Sequence, residues 1–477
     1  MRVSRRLFLK ALGVGAGALT LSQVLGWGQQ PPVKIGLIGP IDRLNVGKTM
    51  MRGAQLALEE INKLVDEKKL PPPKLTMEVR DDQVLPGEVA RAAFEELVEK
   101  GAQVIIGGFL DEAVMGMIPS MARLRKPFLN TGTSGKQFSE LVKSDYEKYK
   151  YYFRLMFNTE VLGQDAVGMA EGFMKEELGI QKVALVMEDS NFGREFLKIL
   201  QAKLPSEAGV EVAKAFLFPK LYTSFTFNLQ DLKDSEADAV IVTFFYNSGR
   251  DFVSLVYDQK LDMPIFGFNA EGQAFEYWKD TGERVMGNVY IDVALGETPI
   301  TPKTRPFYQA YVERFRDSAP SRPFLTAFTT YDALFILKEA IDRAKGTDPD
   351  KLVEELEKTD YVGTVGRWQF QDKDGSYPHD PKYGPKHIEA KWVLWGATGE
   401  YPFLSTALLV RGIVWPPKFR LKVGPEGNTL STAECISKAC EEYRKSVAAW
   451  KQQGRPKGGR FAAWHNWARA IAQCFGS

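Results

Sequence analysis

At 477 residues, with 44% hydrophobic and 26% charged residues, the chain has the composition of a globular protein of two ordinary domains or three small ones. Formal net charge is +2, but the basic residues gather at the ends: residues 1–10 carry four Lys/Arg and no acid, and residues 417–477 carry eleven against four acids. The body between them is net acidic, which excludes nucleic acid as the main partner, because phosphate binding needs a basic footprint.

The chain opens on "MRVSRRLFLK", followed by the apolar "ALGVGAGALTLSQVLG". Ser4-Arg5-Arg6-Leu7-Phe8-Leu9-Lys10 completes the pattern of a twin-arginine export signal, expected over residues 1–30. Its apolar stretch falls short of the roughly 20 residues that a membrane span needs, and no Cys stands near its end to take a lipid. The sequence therefore predicts a mature protein in the periplasm or outside the cell.

The first predicted strand, "VKIGLIG" (33–39), runs into "GPIDRLNVGKT" and then into a helical pattern through Ala54, Ala57, Leu58 and Ile61. Strand, glycine loop, Gly-Lys-Thr and helix together suggest a phosphate-binding loop. That loop needs a glycine five positions before the Gly of Gly-Lys-Thr, so that successive backbone N–H groups wrap the phosphates. Asp42 stands there instead of glycine, and its carboxylate would repel a phosphate. Further strands are predicted at 74–82, 103–109, 127–132, 182–188, 211–218, 239–246, 264–270 and 288–294. Several are apolar at consecutive positions, as parallel strands buried on both faces must be. Helical patterns lie between them, so strands and helices alternate in two blocks, about 33–135 and 180–272. This is the pattern of α/β doubly wound architecture, two lobes leaving a cleft where the carboxyl ends of strands face one another. Helices follow at 323–345 and 348–358, the second with Asp348 as N-cap and Pro349 at its first position. In the tail, Trp464, Trp467, Ile471 and Phe475 recur at helical spacing with Arg460 and Arg469 nearby. That face either packs on the lobes or docks on a membrane surface or partner. The only cysteines are Cys435, Cys440 and Cys474. They allow one disulfide, and bridging Cys474 to either of the others would staple two tail helices.

Motifs for catalysis are missing. All three histidines (His379, His387, His465) follow residue 375, away from the α/β blocks. No G-x-S-x-G, H-E-x-x-H, C-x2-C or EF-hand loop occurs. Acid pairs such as Asp81-Asp82 read as solvated strand ends. No catalytic residue, cofactor or metal is expected.

The stretches "VKIGLIGP", "RGAQLALEEIN", "EVRDDQVLPGEVARAAFEELVEKGAQVIIGG" and "RKPFLNTGTSG" resemble the periplasmic branched-chain amino-acid-binding family, the type I solute receptors of ABC importers. The likeness continues through "KVALVMEDSNFGREFLKIL", "FGFNAEG" and "FLTAFTTYDALFILKEAI", covering roughly 33–400. It implies a type I periplasmic binding protein fold: two Rossmann-like lobes joined by a three-segment hinge, here with a helical C-terminal extension. Lobe 1 is expected at 31–155 with 284–347, lobe 2 at 156–283 with 348–416, and the basic extension at 417–477. The implied function is delivery of a small polar ligand, an amino acid or related amine or carboxylate compound, to a membrane permease by cleft closure. A ligand sensor of the same fold or, less in keeping, an exported hydrolase are the alternatives.

The resemblance places the ligand's carboxylate on the "NTGTSG" loop, at Gly132, Thr133 and Ser134, and its ammonium at Glu271. Phe192 and Phe245 take positions where the family carries aromatic cleft residues. One departure stands out: where the family offers a serine after "GG" plus two residues, this chain has Asp111, with Glu112 beside it. Either Asp111 turns to cap its helix, or the ligand is not a plain aliphatic amino acid.

Overall fold

The computed structural model describes residues 30–477, apart from 85–86, 220–225, 246–247, 262, 297, 399–407, 424–428, 457 and 477; the expected export signal lies outside the described residues. The chain begins with β1 (Val33–Gly39), α1 (Asn45–Asp66), β2 (Leu75–Asp81), α2 (Gly87–Glu99), β3 (Val104–Gly107), α3 (Asp111–Leu124), β4 (Phe128–Asn130), α4 (Gln137–Ser144) and β5 (Tyr152–Arg154). A second series follows: α5 (Thr159–Met169), β6 (Lys182–Glu188), α6 (Asn191–Lys203), β7 (Glu211–Phe218), α7 (Thr226–Asp234), β8 (Ala239–Phe244), α8 (Ser248–Asp258), β9 (Ile265–Asn269) and β10 (Val289–Asp292). Then come α9 (Thr304–Phe315), α10 (Leu325–Ala344), α11 (Pro349–Glu357), β11 (Tyr361–Val362), β12 (Arg367–Trp368), β13 (Lys391–Thr398) and β14 (Leu408–Trp415). The chain closes with β15 (Leu421–Val423), β16 (Thr429–Ser431), α12 (Ala433–Gln452) and α13 (Gly459–Gly476).

These elements form two compact units. One holds the described residues up to Phe157 with Pro299–Glu389, the other Asn158–Thr298 with the described residues from Ala390 onward. The chain thus passes from one unit to the other three times. Two segments fall on the other side from the sequence expectation. Residues 284–298 belong to the second unit because β10 joins its sheet, with Val289 opposite Phe266 of β9. Residues 348–389 belong to the first, where α11 packs on α10 and Asp380 pairs with Arg154. Apolar patterning identifies a strand or helix but not the sheet it joins.

The first unit is built on a five-stranded parallel sheet in the order β2-β1-β3-β4-β5. Its central strands are fully buried, which is why β3 reads as an unbroken apolar run. Helix α1 packs closely on α10. A Cβ on Gly53 would lie 2.3 Å from the Ala327 carbonyl oxygen, and Thr49 Oγ1 meets Thr326 Oγ1 at 3.0 Å. Gly47 serves close packing too, since a Cβ there would sit 2.1 Å from the Pro40 carbonyl oxygen. Gly-Lys-Thr is therefore a helix-docking element and not a phosphate loop. Asp348 caps α11 by accepting from the Lys351 amide at 3.1 Å, with Pro349 first in the helix, as the sequence predicts.

The second unit repeats the same order in its parallel strands, β7-β6-β8-β9-β10, and adds β13 and β14 antiparallel beyond β10. Helix α13 lies against β13 and β14. Its tryptophans, Trp464 and Trp467, stack at 4.0 Å and are only 3% and 2% exposed, with Tyr443, Phe173 and Phe266 around them. A face that docks on a membrane has to be exposed, so of the two readings of this face packing on the fold is the one that holds. Cys435 and Cys474 form the disulfide, tying the start of α12 to the end of α13. Cys440 is free and buried, and accepts a hydrogen bond from Trp467 Nε1 at 3.4 Å; burial pushes its pKa up to about 12.

Candidate functional site

In an open sheet of this order, the connections from the two central strands leave toward opposite faces, and the crevice at their carboxyl ends is where ligands bind. In the first unit that point lies between β1 and β3. The turn after β3 needs glycine: Gly107 and Gly108 have φ of 111° and 80°, and a Cβ on Gly107 would sit 2.0 Å from the Ile38 carbonyl oxygen. Asp111 follows as the first residue of α3 and is 6% exposed. Its Oδ1 accepts from the backbone N–H of Ser134 at 3.3 Å and of Gly135 at 3.1 Å, in the loop after β4.

The rest of that loop is held from below. Asn130 Oδ1 accepts from the Gly132 amide at 3.3 Å, the Thr133 amide at 2.9 Å and the Thr133 hydroxyl at 2.8 Å. Arg154 donates to the carbonyls of Thr133 and Gly135 at 3.3 and 2.7 Å, and pairs with Asp380 at 2.8 Å, both side chains fully buried. Burial works against the Arg154 charge, but Asp380 and, further down, Asp111 hold its pKa above the ordinary value. The four amides of residues 132–135 each have an acceptor inside the chain. Asn130 engages the amides of both Gly132 and Thr133, and Thr133 is wholly buried. Ser134 is buried, and Glu112, second in α3, is half-buried. Asp82 is corrected as well, being fully buried and not solvated. Burial raises its pKa to about 6 against the opposing hydrogen bond from the Val84 amide.

In the second unit the corresponding point lies between β6 and β8. Phe192 stands one residue into α6, where Ser190 caps the helix by accepting from the Gly193 amide at 3.0 Å. Phe192, Phe245 and Phe268 form one ring cluster, with centroids 4.9, 5.9 and 4.6 Å apart. Beneath it Glu188 ends β6, fully buried, and accepts from the Phe245 amide at 2.7 Å and from the Ser248 hydroxyl. The sequence reading missed Glu188 and Phe268. The available signal was an acid closing the apolar run Val183–Met187, a group that must find donors once buried. Glu271 opens a short 3-10 turn after β9 and is half-buried. Asn269 fixes that turn, accepting from the Gly272 amide at 3.1 Å and donating to Tyr277 Oη at 3.0 Å. The first unit thus gathers Asp111, Glu112, Gly132, Thr133 and Ser134 on its β3 and β4 loops. The second gathers Phe192 and Phe245, and carries Glu271 on the β9 loop. Aromatic faces with carboxylates suit binding of a polar, positively charged or aromatic solute. Among the described residues no cluster of His, Cys, Asp and Glu has the geometry to hold a metal ion.

Residues 32–381 match the family model described as "Periplasmic binding protein". No curated protein sequence matches the chain. Among solved structures, the chain is similar to a leucine-binding protein, LivK, from Thermotoga maritima, with 18% identity over 81% of this chain and 99% of that one and a TM-score of 0.65. It is similar to the branched-chain amino-acid transporter substrate-binding protein LivJ from Streptococcus pneumoniae in complex with isoleucine, with 19% identity, 80% and 100% coverage and a TM-score of 0.64. A solute-binding protein of an ABC transporter from R. palustris, in complex with benzoate, matches at 16% identity, 80% and 96% coverage and a TM-score of 0.63. At these identities the likeness to solved structures is one of fold.

Proposed function

The chain belongs to the periplasmic binding protein family, and from that premise we propose that it is the exported receptor that delivers a small polar solute to the permease of an ABC importer, without chemical turnover. The twin-arginine pattern of residues 4–10 is the proposed route out of the cytoplasm. The supporting observation is that each unit has loops carrying polar or aromatic side chains at the carboxyl end of its two central strands. The candidate residues are Asp111, Glu112 and Ser134 in the first unit and Phe192, Phe245 and Glu271 in the second. Glu271 takes the ligand's ammonium. Closure on the solute is the signal to the permease, and it follows only if the solute binds the closed form more tightly than the open one.

A thermal-shift screen of the purified protein against amino acids, amines, amides and aromatic acids tests this reading, because a ligand of the folded state raises its stability by mass action. At least one solute class is expected to bind one-to-one and be recovered unchanged. Turnover of that solute would sink the receptor reading. Glu271→Ala should weaken an amine ligand roughly 10- to 100-fold in calorimetry, the worth of one charge-assisted hydrogen bond; retained affinity removes Glu271 from the site.

A further inference from the structure

The geometry assigns Asp111 a specificity role: its carboxylate fills, from within the chain, the pair of backbone donors that would otherwise receive a ligand carboxylate, so the receptor selects an amine that carries no carboxylate. The inference rests on the receptor reading above. Its basis is the Gly132–Gly135 loop. Gly132 and Thr133 give their amides to Asn130, and Ser134 and Gly135 give theirs to Asp111 at 3.3 and 3.1 Å. The filled arrangement is built in. A Cβ on Gly135 would stand 2.3 Å from the Gln137 side-chain amide and 2.5 Å from Asp111 Oδ2, so a side chain there would crowd both. Arg154, fully buried, fixes the loop by its carbonyls and does not turn its charge toward an incoming anion. A second carboxylate entering beside Asp111 and Glu112 meets like charge with its backbone donors already engaged, whereas an ammonium meets opposite charge.

The test uses two matched pairs that differ by the carboxylate, isoamylamine against leucine and phenethylamine against phenylalanine, and a third that exchanges the ammonium for a carboxylate, benzylamine against benzoate. Each is titrated calorimetrically into the purified full-length protein and into two variants whose fold is checked by circular dichroism. For the unsubstituted protein, the amine of at least one pair should bind tenfold or more tightly than its carboxylate-bearing partner. Asp111→Ser should reverse that order, gaining tenfold or more for leucine, phenylalanine or benzoate as the amides of Ser134 and Gly135 are released. Asp111→Asn keeps an acceptor on those amides but removes the charge; it should lose the amine preference without gaining carboxylate binding, and it carries the test if the serine variant does not fold. If leucine or benzoate binds the unsubstituted protein as tightly as the amines, the assignment is overturned while the receptor reading stands. If none of the six probes binds the protein or either variant, the assignment falls, and the receptor reading is then judged on its wider solute screen.

Discussion

His465 packs against the rings of Tyr257 and Phe461, at centroid distances of 5.4 and 3.9 Å, and its Nδ1 meets the Phe461 carbonyl oxygen at 2.8 Å. Burial, with Arg469 adding to it, pushes its pKa down to about 4 despite that hydrogen bond. The folded protein therefore resists a proton that the unfolded chain accepts below about 6.5. Stability from this residue is complete above that pH and is lost as pH falls toward 4, by about 3 kcal/mol. Asp332 works in the opposite direction. Burial raises its carboxyl to about 6, so its contribution is present at low pH and is lost as pH rises through 6. The two are separated by comparing the protein with His465→Gln in urea unfolding at pH 7 and pH 4.5. The variant should lose less stability on acidification; parallel losses would show that His465 is not the titrating group. The chemistry of Asp111 was legible as a departure from the pattern, but its partner was not. Ser134 and Gly135 lie more than twenty residues away, and which side chain meets which amide depends on how β3 and β4 pair.

Among the elements, α12 and α13 form a stapled pair. The Cys435–Cys474 bridge closes a loop of 39 residues, which in the chain-entropy account stabilises by about 4 kcal/mol. Cys435→Ser should lower the denaturant midpoint accordingly, and an unchanged midpoint would mean that core packing alone holds the pair. Packing of α1 on α10 makes a sharper prediction. Gly53→Ala drives a methyl group against the Ala327 backbone and should cost roughly 1–3 kcal/mol as the helices separate. Gly168→Ala, in α5 with open space around it, should stabilise by about 0.5–1 kcal/mol. Equal effects would remove the packing argument. The first strand was legible to the residue, as were β6 and β7, because their apolar runs end at sharp polar or turn signals. β5, β13 and β14 were not read. β5 is only three residues long, and the β13–β14 hairpin follows the two blocks where no strand–helix alternation announces it.

For the whole molecule, two doubly wound units were implied by two blocks of alternating strands and helices, while their shared strand order was not read and the three chain crossings came only from the resemblance. Crossing points depend on which sheet a late strand joins, a long-range choice that local pattern does not encode; hence the reassignment of 284–298 and 348–389. The candidate residues fell on strand ends as expected, since loops after parallel strands are fixed by the fold. Their hydrogen bonds were not legible.

The buried Cys440 decides how the other two cysteines behave over time. Thiol–disulfide exchange proceeds through a thiolate, and with a pKa of about 12 only roughly one molecule in 10⁵ would carry that thiolate at neutral pH. The one free thiol among the three cysteines is thus kept protonated, with Trp467 Nε1 donating to its sulfur. Three cysteines could pair in three ways, and in this fold the third is held as a poor nucleophile toward the bond formed by the other two.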